Sequence, residues 1–504
     1  MAFNLLDEPW VPVRFNDGLV REIGLLELFD RASDIIGLAE TSPPNLVAIY
    51  RVLLAITNRA LTTELGPWKD ADRARWYQQG LPLDAIKAYL TQWRDRFWVF
   101  HPSHPFMQVA ALNEIEETKD KTKPWTQIAL DSASGNTPVV FDHAVDTVPI
   151  AIPVALALRQ LLGYMQFTPG GLVKAIRDSD KAGALANTAA VIPVGHNLNQ
   201  TLCLCLHGAA PATDDLPAWE LAAPQIKDLM AEGHLASGLN DRYTRLSRAV
   251  LFLPEDGQTH VQTIRFAAGL ALTDDPNATD SMASYRMGAA NMVRVTFTEG
   301  RALWRDLPAM LPDASGKAAL PAPVLSWATN LYNALGQFDA TLHLIVVGIA
   351  SEKAKLLRWR VVTVSLPQRL AENEGTAQAL RQQIQHAEDV YSQVRKVVSE
   401  LFAKMSPDSA SKDTYARARA TVESGPLAPS YYAALERALP ALMTQLASGD
   451  EQHAHEQWST AIRDAAEQAW QASVRTAGQS AAALRAQAMT YPKFKRILKQ
   501  EVLA

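Results

Sequence analysis

The stretch LRQQIQHAEDVYSQVRKVVSELFAKM, residues 380–405, repeats its apolar side chains at alternating steps of four and three residues. The positions with this spacing are Leu380, Ile384, Ala387, Tyr391, Val394, Val398, Leu401 and Met405. Because an α-helix has 3.6 residues per turn, these side chains share one face. The stretch therefore predicts a long amphipathic helix that packs against other helices through this face.

Two further apolar repeats follow toward the C-terminus. They run through Tyr432, Leu435, Leu439, Leu442 and Leu446, and through Trp458, Ile462, Ala465, Ala469 and Ala472. The breaks are short and contain proline or glycine, at Ser406-Pro407, Gly425-Pro426 and Gly449. Several amphipathic helices with short connections predict an antiparallel helical bundle over residues 367–504.

Two details of this region remain open. Pro440 lies inside the second repeat, so that helix is expected either to kink or to begin later. The final stretch YPKFKRILKQ, residues 491–500, carries four cations, Lys493, Lys495, Arg496 and Lys499. It is either a partner surface or a solvated tail, and the composition favours the tail.

Residues 1–366 have a different character, because glycine and proline recur every few residues and short alternating runs mix with helical ones. Strands are predicted at 245–253, 293–297 and 342–349, and helices at about 43–62, 72–98 and 153–166. The predicted fold class is therefore α+β, a large irregular mixed α/β N-terminal domain followed by the helical bundle.

The composition excludes several classes of protein. Hydrophobic residues make up 48% and charged residues 20%, which is typical of a folded globular chain rather than a disordered one. The 48 Lys and Arg residues against 53 Asp and Glu residues give a net charge of −5. Any contact with phosphate must therefore come from a local patch.

The two cysteines, Cys203 and Cys205, exclude a disulfide framework and a four-cysteine zinc site, and favour a reducing cytoplasm.

No membrane partner is expected from the apolar stretches. The N-terminus MAFNLLDEPW has no basic region before a long apolar run, so a signal peptide is not expected. The most apolar window, residues 148–165, is interrupted by Pro149, Pro153, Arg159 and Gln160. A membrane span needs about 20 apolar residues, so this window predicts a loop entering a core helix.

A search for catalytic motifs finds no phosphate-binding P-loop, dinucleotide-binding glycine motif, zinc-protease motif or nucleophile elbow. Cys203 and Cys205 alternate with leucines in TLCLCLHG, which favours small core residues on one face of a strand. The residues therefore predict neither an enzyme nor a bound cofactor.

His101 and His104 are three residues apart and could share a metal ion if they lay on a helix. Pro102 and Pro105 instead predict a loop, and no third ligand is obvious nearby. A structural, hydrogen-bonded role is favoured, and no metal is expected.

Two stretches are candidates for phosphate contact. Residues 351–360 combine four cations with a tryptophan directly after the predicted strand, namely Lys353, Lys355, Arg358, Trp359 and Arg360. Cations on a strand-end loop can engage phosphates, although a solvated charged face is the commoner outcome.

Residues 167–183 contain Gly170, Gly171 and Gly183 with Lys174, Arg177 and Lys181 between them. Glycines allow the backbone to approach a phosphate closely, although an ordinary surface loop is commoner.

Three motifs together resemble a known family. They are NLLDEPWVPV at residues 4–13, HPFMQ at residues 104–108 and GRALWRDL at residues 300–307. Their order and spacing resemble the CasA family, the large subunit of the type I-E CRISPR surveillance complex, Cascade. The resemblance covers nearly the whole chain. It implies a large α/β N-terminal domain followed by a C-terminal four-helix bundle.

The resemblance implies a non-catalytic subunit that reads the PAM in double-stranded target DNA, assists strand opening and recruits a separate helicase-nuclease. It implies as further partners the crRNA and the backbone, handle-end and small subunits of the complex. Protein would read the PAM while base pairing reads the rest of the target.

The resemblance also implies roles for individual residues. A loop for the crRNA handle and for partner docking corresponds to Phe141, Asp142 and His143. A glycine loop near PAM-proximal DNA corresponds to Gly170, Gly171, Lys174 and Gly183. The wedge at a hairpin tip corresponds to Lys353, with Glu352, Ala354 and Lys355 beside it, and lysine here replaces the glutamine of the best-known members. A basic residue on another hairpin corresponds to Arg265.

Two alternatives to this reading remain. The chain could be a docking scaffold whose bundle binds the helicase-nuclease while a neighbouring subunit reads the PAM. A stand-alone hydrolase is the second and less favoured alternative, because no catalytic motif supports it.

Overall fold

The computed structural model describes residues 2–132, 149–208, 214–273, 275, 278–352 and 355–500. The chain forms two compact units. The N-terminal unit comprises Met1–Glu299 and Pro321–Val364, and the C-terminal unit comprises Gly300–Leu320 and Ser365–Ala504. Residues 300–320 thus belong with the bundle, whereas the sequence division at residue 366 leaves them in the N-terminal domain.

The N-terminal unit mixes short helices with several small sheets. Its α-helices are α1 (Leu25–Asp30), α2 (Pro43–Leu65), α3 (Asp70–Gln79), α4 (Leu83–Gln92), α5 (Val154–Phe167), α6 (Leu198–Cys205), α7 (Ile226–Met230), α8 (Leu239–Thr244) and α9 (Pro323–Ala334). Short 3-10 helices lie at Arg94–Phe97, Ala110–Asn113, Trp125–Ile128 and Asp256–Gln258.

The strands are β1 (Ala2–Asn4), β2 (Val11–Phe15), β3 (Val20–Ile23), β4 (Ile35–Leu38), β5 (Trp98–Phe100), β6 (Lys123–Pro124), β7 (Ile152–Pro153), β8 (Gly171–Ala175), β9 (Arg177–Asp180), β10 (Ala190–Val194), β11 (Arg248–Pro254), β12 (His260–Ala268), β13 (Tyr285–Met287), β14 (Met292–Arg294), β15 (Ala319–Leu320), β16 (Thr341–Glu352) and β17 (Lys355–Pro367). The main sheets have the orders β3-β2-β4, β10-β16-β17 and β11-β12-β6, with β7 also on β12, and smaller pairs are β1-β5, β8-β9 and β13-β14.

Helix α2 forms the centre of the N-terminal unit. It begins with Pro43 and Pro44 in its first turn and ends at Gly66, whose φ of +76° suits glycine. The helix is long and apolar enough to cross a membrane, but most of it is buried, with α4, α5 and α8 packed against it. This burial is that of a core helix in a globular unit.

A charged side chain lies fully buried on α2. Arg51 has no exposed surface, donates a hydrogen bond of 2.8 Å to the Gln166 side chain on α5 and forms an ion pair with Asp280. Its guanidinium also lies 4.8 Å from the centre of the Tyr243 ring on α8. Burial raises the pKa of Asp280, but Arg51 and Arg242 lower it more, so this pKa lies below its ordinary value. The carboxylate therefore stays charged beside its partner.

The structure confirms the strand at 342–349 as part of β16. The strand predicted at 245–253 is β11, which begins three residues later, at Arg248, and β14 covers only the first part of 293–297. The single helix expected over 72–98 was wrong. The chain breaks between α3 and α4 at Gly80, which has a φ of +98°, and at Pro82.

The strand expected at Cys203 and Cys205 was also wrong, because both residues lie on helix α6. Both are buried, as predicted, and burial raises the pKa of the Cys203 thiol to about 12. Almost every residue of this short helix is buried, so its apolar pattern does not distinguish a helix from a buried strand.

The C-terminal unit is the predicted helical bundle. Its helices are α10 (Gln368–Glu372), α11 (Glu374–Lys404), α12 (Lys412–Glu423), α13 (Leu427–Ser448), α14 (Glu451–Ala477) and α15 (Ala481–Gln500), with a 3-10 helix at Leu303–Met310. The four long helices α11, α13, α14 and α15 bury nearly all the side chains of the three apolar repeats. Helix α13 begins before the second repeat and continues past Pro440, so the later start was wrong.

The final stretch is not a solvated tail. Residues 491–500 belong to α15, where Phe494, Ile497 and Leu498 are buried. The Phe494 ring stacks on Trp470 of α14, with centroids 4.6 Å apart and planes 10° apart. The prediction of a tail gave weight to the cations and missed the apolar side chains, which recur every three to four residues on one face of the helix.

The segment 300–320 packs on α11 and its neighbours. Arg305 donates two hydrogen bonds to the Glu388 carboxylate, of 2.5 and 2.8 Å, and lies 3.7 Å from the centre of the Tyr432 ring. The Trp304 ring meets Tyr432 and Trp458 with centroid distances of 6.0 and 6.2 Å. The GRALWRDL motif is therefore part of the core of the bundle.

We expect Arg51→Met to destabilise the N-terminal unit strongly, because it leaves the Asp280 carboxylate buried without its partner. The free energy of unfolding should fall by about 3–5 kcal/mol. Differential scanning calorimetry measures this as a lower unfolding temperature.

The matched control is Arg75→Met, which removes a 2.9 Å ion pair with Asp72 whose arginine side chain is 56% exposed. Its effect should stay within about 1 kcal/mol. Equal effects of the two substitutions would contradict the buried-pair account.

Candidate nucleic-acid interface

Strands β16 and β17 are neighbours in one sheet and lead to the predicted wedge. β16 pairs with β10 in an antiparallel register that sets Ile345 opposite Ile192. β16 ends at Glu352 and β17 begins at Lys355, so two residues connect the strands. These two, Lys353 and Ala354, lie outside the described residues.

The sequence predicted that the cations after Ile349 lie on a strand-end loop. Lys355, Arg358 and Arg360 instead belong to strand β17, and β16 continues to Glu352. Arg358 forms an ion pair of 2.9 Å with Glu299 at the surface. The Arg360 guanidinium lies 4.7 Å from the centre of the Phe297 ring. These contacts hold the first half of β17 against residues 297–299.

Trp359 connects this strand pair to helix α5. Its indole N–H donates to the Leu130 carbonyl at 3.2 Å, and its ring meets Phe167 edge to face with centroids 5.2 Å apart. Phe167 is the last residue of α5, and the glycine region starts three residues later. One aromatic contact thus joins the two candidate elements.

The glycine region is a short hairpin rather than a loop. β8 and β9 pair in antiparallel fashion, with Lys174 on β8, and Ile176 turns the chain with a φ of +68°. The hairpin is anchored by Asp180, a buried residue of β9. Its carboxylate accepts from Arg177 at 2.7 Å and from the Gly269 amide at 2.7 Å, and it lies 3.2 Å from Arg248.

The three glycines of this region differ in their surroundings. Gly171 is exposed and has a φ of +148°, with open space where a Cβ would lie. At Gly170 a Cβ would lie 3.2 Å from the Ala182 nitrogen. At Gly183, which is buried, it would lie 2.6 Å from two carbonyl oxygens of α5, those of Met165 and Gln166. Packing against α5 therefore explains Gly183. Gly170 and Gly171 lie at the end of the hairpin opposite the Ile176 turn, where Gly171 pairs with Asp180.

Arg265 lies on β12 and is engaged within the unit. Its guanidinium donates to the Asn113 side chain at 2.6 Å and to the Thr118 carbonyl at 2.7 Å. Lys123 on β6 pairs with Ile264, the residue before Arg265. Arg265 therefore connects β12 to residues 113–118. The second cation nearby, Lys123, is exposed.

The two histidines lie in a loop, as predicted, and are held by hydrogen bonds. His101 Nδ1 accepts from the His104 amide at 2.9 Å, and Ser103 Oγ lies 2.9 Å from His104 Nδ1. Burial, with smaller contributions from Arg96 and His101, lowers the pKa of His104. Over the described ranges, no group of three or more metal-binding side chains occurs.

Phe141, Asp142 and His143 lie outside the described residues, as does the whole segment 133–148. The sequence reasoning missed Trp359 as a connector and the Asp180–Arg248 pair as the anchor of the hairpin. Arg248 was detectable in principle, because it begins the otherwise apolar strand β11.

We expect Gly183→Ala to lower the stability of the protein by about 1–3 kcal/mol, because the new methyl group would overpack against backbone atoms of α5 that cannot rotate away. Thermal unfolding measures the loss. Gly37→Ala is the control, since its Cβ would approach nothing nearer than the Tyr50 hydroxyl at 4.0 Å. If Gly183→Ala unfolds at the parent temperature, the close packing assigned to Gly183 is wrong.

Comparison with known proteins supports a single family. The family model of CRISPR-associated protein Cse1 (CRISPR_cse1) matches residues 4–469. A CRISPR-associated protein CasA/Cse1 of Thermus thermophilus is 32% identical over 509 aligned positions, which cover 98% of this chain and 97% of the relative.

Solved structures agree with this result. The structure of Thermus thermophilus CasA (Cse1) matches with a TM-score of 0.84 and 30% identity, over 99% of both chains. A chain from a CRISPR RNA-guided surveillance complex matches with a TM-score of 0.74 over 99% of this chain and 98% of its own length, and its 20% identity shows the fold alone. The resemblance predicted from the three sequence motifs is confirmed: the chain belongs to the CRISPR-associated protein Cse1 family, also called CasA.

Proposed function

We propose that the chain is the large subunit of a type I-E CRISPR RNA-guided surveillance complex. In this role it recognises the PAM in duplex DNA, assists strand opening and recruits the helicase-nuclease for interference. Its other partners would be the crRNA and the backbone, handle-end and small subunits, in the cytoplasm. Family membership and the fold shared with a chain of such a complex support the proposal.

The observation that carries the DNA-binding role is the two-residue connection between β16 and β17. β16 has 12 residues and β17 has 13, so the connection with Lys353 joins two long strands. Insertion of a side chain between two bases costs a few kcal/mol per base step in lost stacking. A side chain on a rigidly packed support keeps its position while the bases separate. Trp359 and Arg360, the fifth and sixth residues of β17, provide such support through their contacts with Leu130 and Phe297.

The hairpin β8-β9 would lie against the DNA beside this wedge. Exposed Gly171 lets the backbone approach a phosphate without a side chain between them. The contact between Trp359 and Phe167 connects β17 to the end of α5, from which the chain continues into the hairpin. Gly183 is not part of the proposed DNA surface, because its packing against α5 explains the glycine. Arg265 contributes to this surface only through the part of its guanidinium that does not contact Asn113.

A docking scaffold that does not itself read DNA is the second candidate. The two roles differ in what happens to DNA binding when the PAM changes. Target affinity should be measured for complexes assembled with and without this chain, on DNA with a correct and with a scrambled PAM. Recognition predicts high affinity only for the complex with this chain on the correct PAM. Equal affinities in all four cases would refute it.

We expect Lys353→Ala to weaken target binding and slow strand opening, because lysine offers a point charge and three donors to a phosphate or a minor-groove acceptor. Loss of one phosphate contact should reduce the slope of log affinity against log salt by about 0.9. A target with an unpaired bubble beside the PAM should remove most of the opening defect. Fluorescence of a base analogue beside the PAM measures the opening.

The variant Lys353→Gln distinguishes the contribution of the lysine charge from that of a long side chain. If wedging by a long side chain dominates, this variant should open DNA nearly as well as the parent, and if charge dominates it should resemble Lys353→Ala. Lys227→Ala, at an exposed lysine of α7, is the control and should change neither property. If both Lys353 variants bind and open DNA like the parent at all salt concentrations, Lys353 does not act as the wedge.

We expect Phe141→Ala to lower the occupancy of this chain in the purified complex several-fold while leaving its own unfolding temperature nearly unchanged. An aromatic side chain beside the polar Asp142 and His143 offers a large contact area at a small entropy cost. Native mass spectrometry measures occupancy. A large drop in unfolding temperature with normal occupancy would instead make Phe141 a core residue.

A further inference from the structure

A buried cluster of charges holds the hairpin β8-β9 at the end that carries Gly170 and Gly171. The Asp180 side chain has no exposed surface, and its carboxylate lies 2.7 Å from the Arg177 guanidinium and 3.2 Å from that of Arg248. The Arg248 side chain is only 3% exposed. One buried carboxylate therefore faces two cations, which leaves an excess of positive charge beside this end of the hairpin.

Arg248 also holds both chain segments at this end. Its guanidinium donates to the Pro169 carbonyl at 2.6 Å and to the Lys181 carbonyl at 2.7 Å. Gly170 lies beside Lys181 on the opposite segment, since a Cβ on Gly170 would be 3.2 Å from the nitrogen of the next residue, Ala182. Arg248 therefore fixes the backbone of both segments where Gly170 and Lys181 are neighbours.

Gly170 and Lys181 carry hydrogen-bond donors that have no partner in the described part of the chain. Lys181 is exposed, and no carboxylate of the described residues lies within ion-pairing distance of its ammonium. Gly170 is exposed as well, and over the same ranges its amide donates to no backbone carbonyl. Because Gly170 has no side chain, one ligand can reach this amide and the Lys181 ammonium together.

The chemistry of these two donors matches a phosphate group. Both groups only donate hydrogen bonds and phosphate oxygens only accept them, whereas the edges of bases mix donors and acceptors. The local charge agrees with an anion. Residues 169–183 together with Arg248 contribute four cations and two carboxylates, whereas the whole chain has a net charge of −5.

The position of this end of the hairpin favours the DNA backbone as the source of the phosphate. Phe167, two residues before Pro169, contacts Trp359 of β17. β17 begins two residues after Lys353, the proposed wedge. Lys181 therefore shares a packed support with the residue that is proposed to enter the DNA.

We propose that Lys181 and the Gly170 amide bind one phosphate of the target DNA backbone. The proposal rests on the proposed function, because it adds a contact to the DNA surface described there. A phosphate contact fixes the register of a protein on the duplex but carries no sequence information. Lys181 therefore contributes to affinity for the target and not to the choice of PAM.

The test uses the assembled complex and duplex targets at several salt concentrations. Lys181→Ala should weaken binding roughly fivefold at about 0.15 M salt and reduce the slope of log affinity against log salt by about 0.9. The loss should agree within twofold between correct and scrambled PAMs. Lys181→Arg keeps the charge and should bind within twofold of the parent. Lys412→Ala, at an exposed lysine of α12, is the matched control and should change neither affinity nor slope.

Targets with a single uncharged methylphosphonate linkage identify the phosphate. One linkage beside the PAM should weaken binding of the parent several-fold but leave binding of Lys181→Ala unchanged, because both changes remove the same contact. If no linkage behaves in this way, or if Lys181→Ala binds like the parent at every salt concentration, the proposal is wrong.

The composition of the purified complex distinguishes DNA from the other possible ligands. A lower content of crRNA or of this chain in the Lys181→Ala complex would overturn the proposal, because Lys181 would then contact RNA or protein. If DNA binding by the parent complex is the same with and without this chain, the proposed function fails rather than the Lys181 contact.

Discussion

The N-terminal unit depends on the burial of the Arg51 guanidinium. A guanidinium stays charged at any physiological pH, so its removal from water requires a buried carboxylate and further acceptors around it. Asp280 and the Gln166 side chain meet this requirement, and the Gln166 amide in turn donates to the Tyr243 carbonyl at 2.8 Å. Helices α2, α5 and α8 are thereby held in one arrangement.

This arrangement extends to the candidate interface through the end of α5. The Gln166 carbonyl accepts from the Leu185 amide at 2.8 Å and lies against Gly183, and the next residue, Phe167, meets Trp359. A continuous series of contacts therefore connects the buried ion pair to both hairpins of the proposed DNA surface. Rigid support of this kind holds a binding group in place before its target arrives.

The sequence predicted long-range periodic features well and local exceptions poorly. The repeats through Leu380 and Leu435 predicted the bundle because a helical period is repeated many times over. The short helix with Cys203 and the strand extension to Glu352 were missed, since a few buried residues carry no distinctive period. The wedge and the docking loop were assigned by family resemblance alone. The packing role of Gly183 depends on α5 carbonyls that precede it by 17 and 18 residues, a proximity that only folding creates.

The membership of residues 300–320 in the C-terminal unit has a consequence for biosynthesis. Trp304 leaves the ribosome long before its partner Trp458, which follows 154 residues later in the chain. At about 5–20 residues per second, this delay is roughly 8–30 s. During that time the Trp304 ring lacks its contact with Trp458, so the segment keeps an apolar surface exposed until α14 has been synthesised.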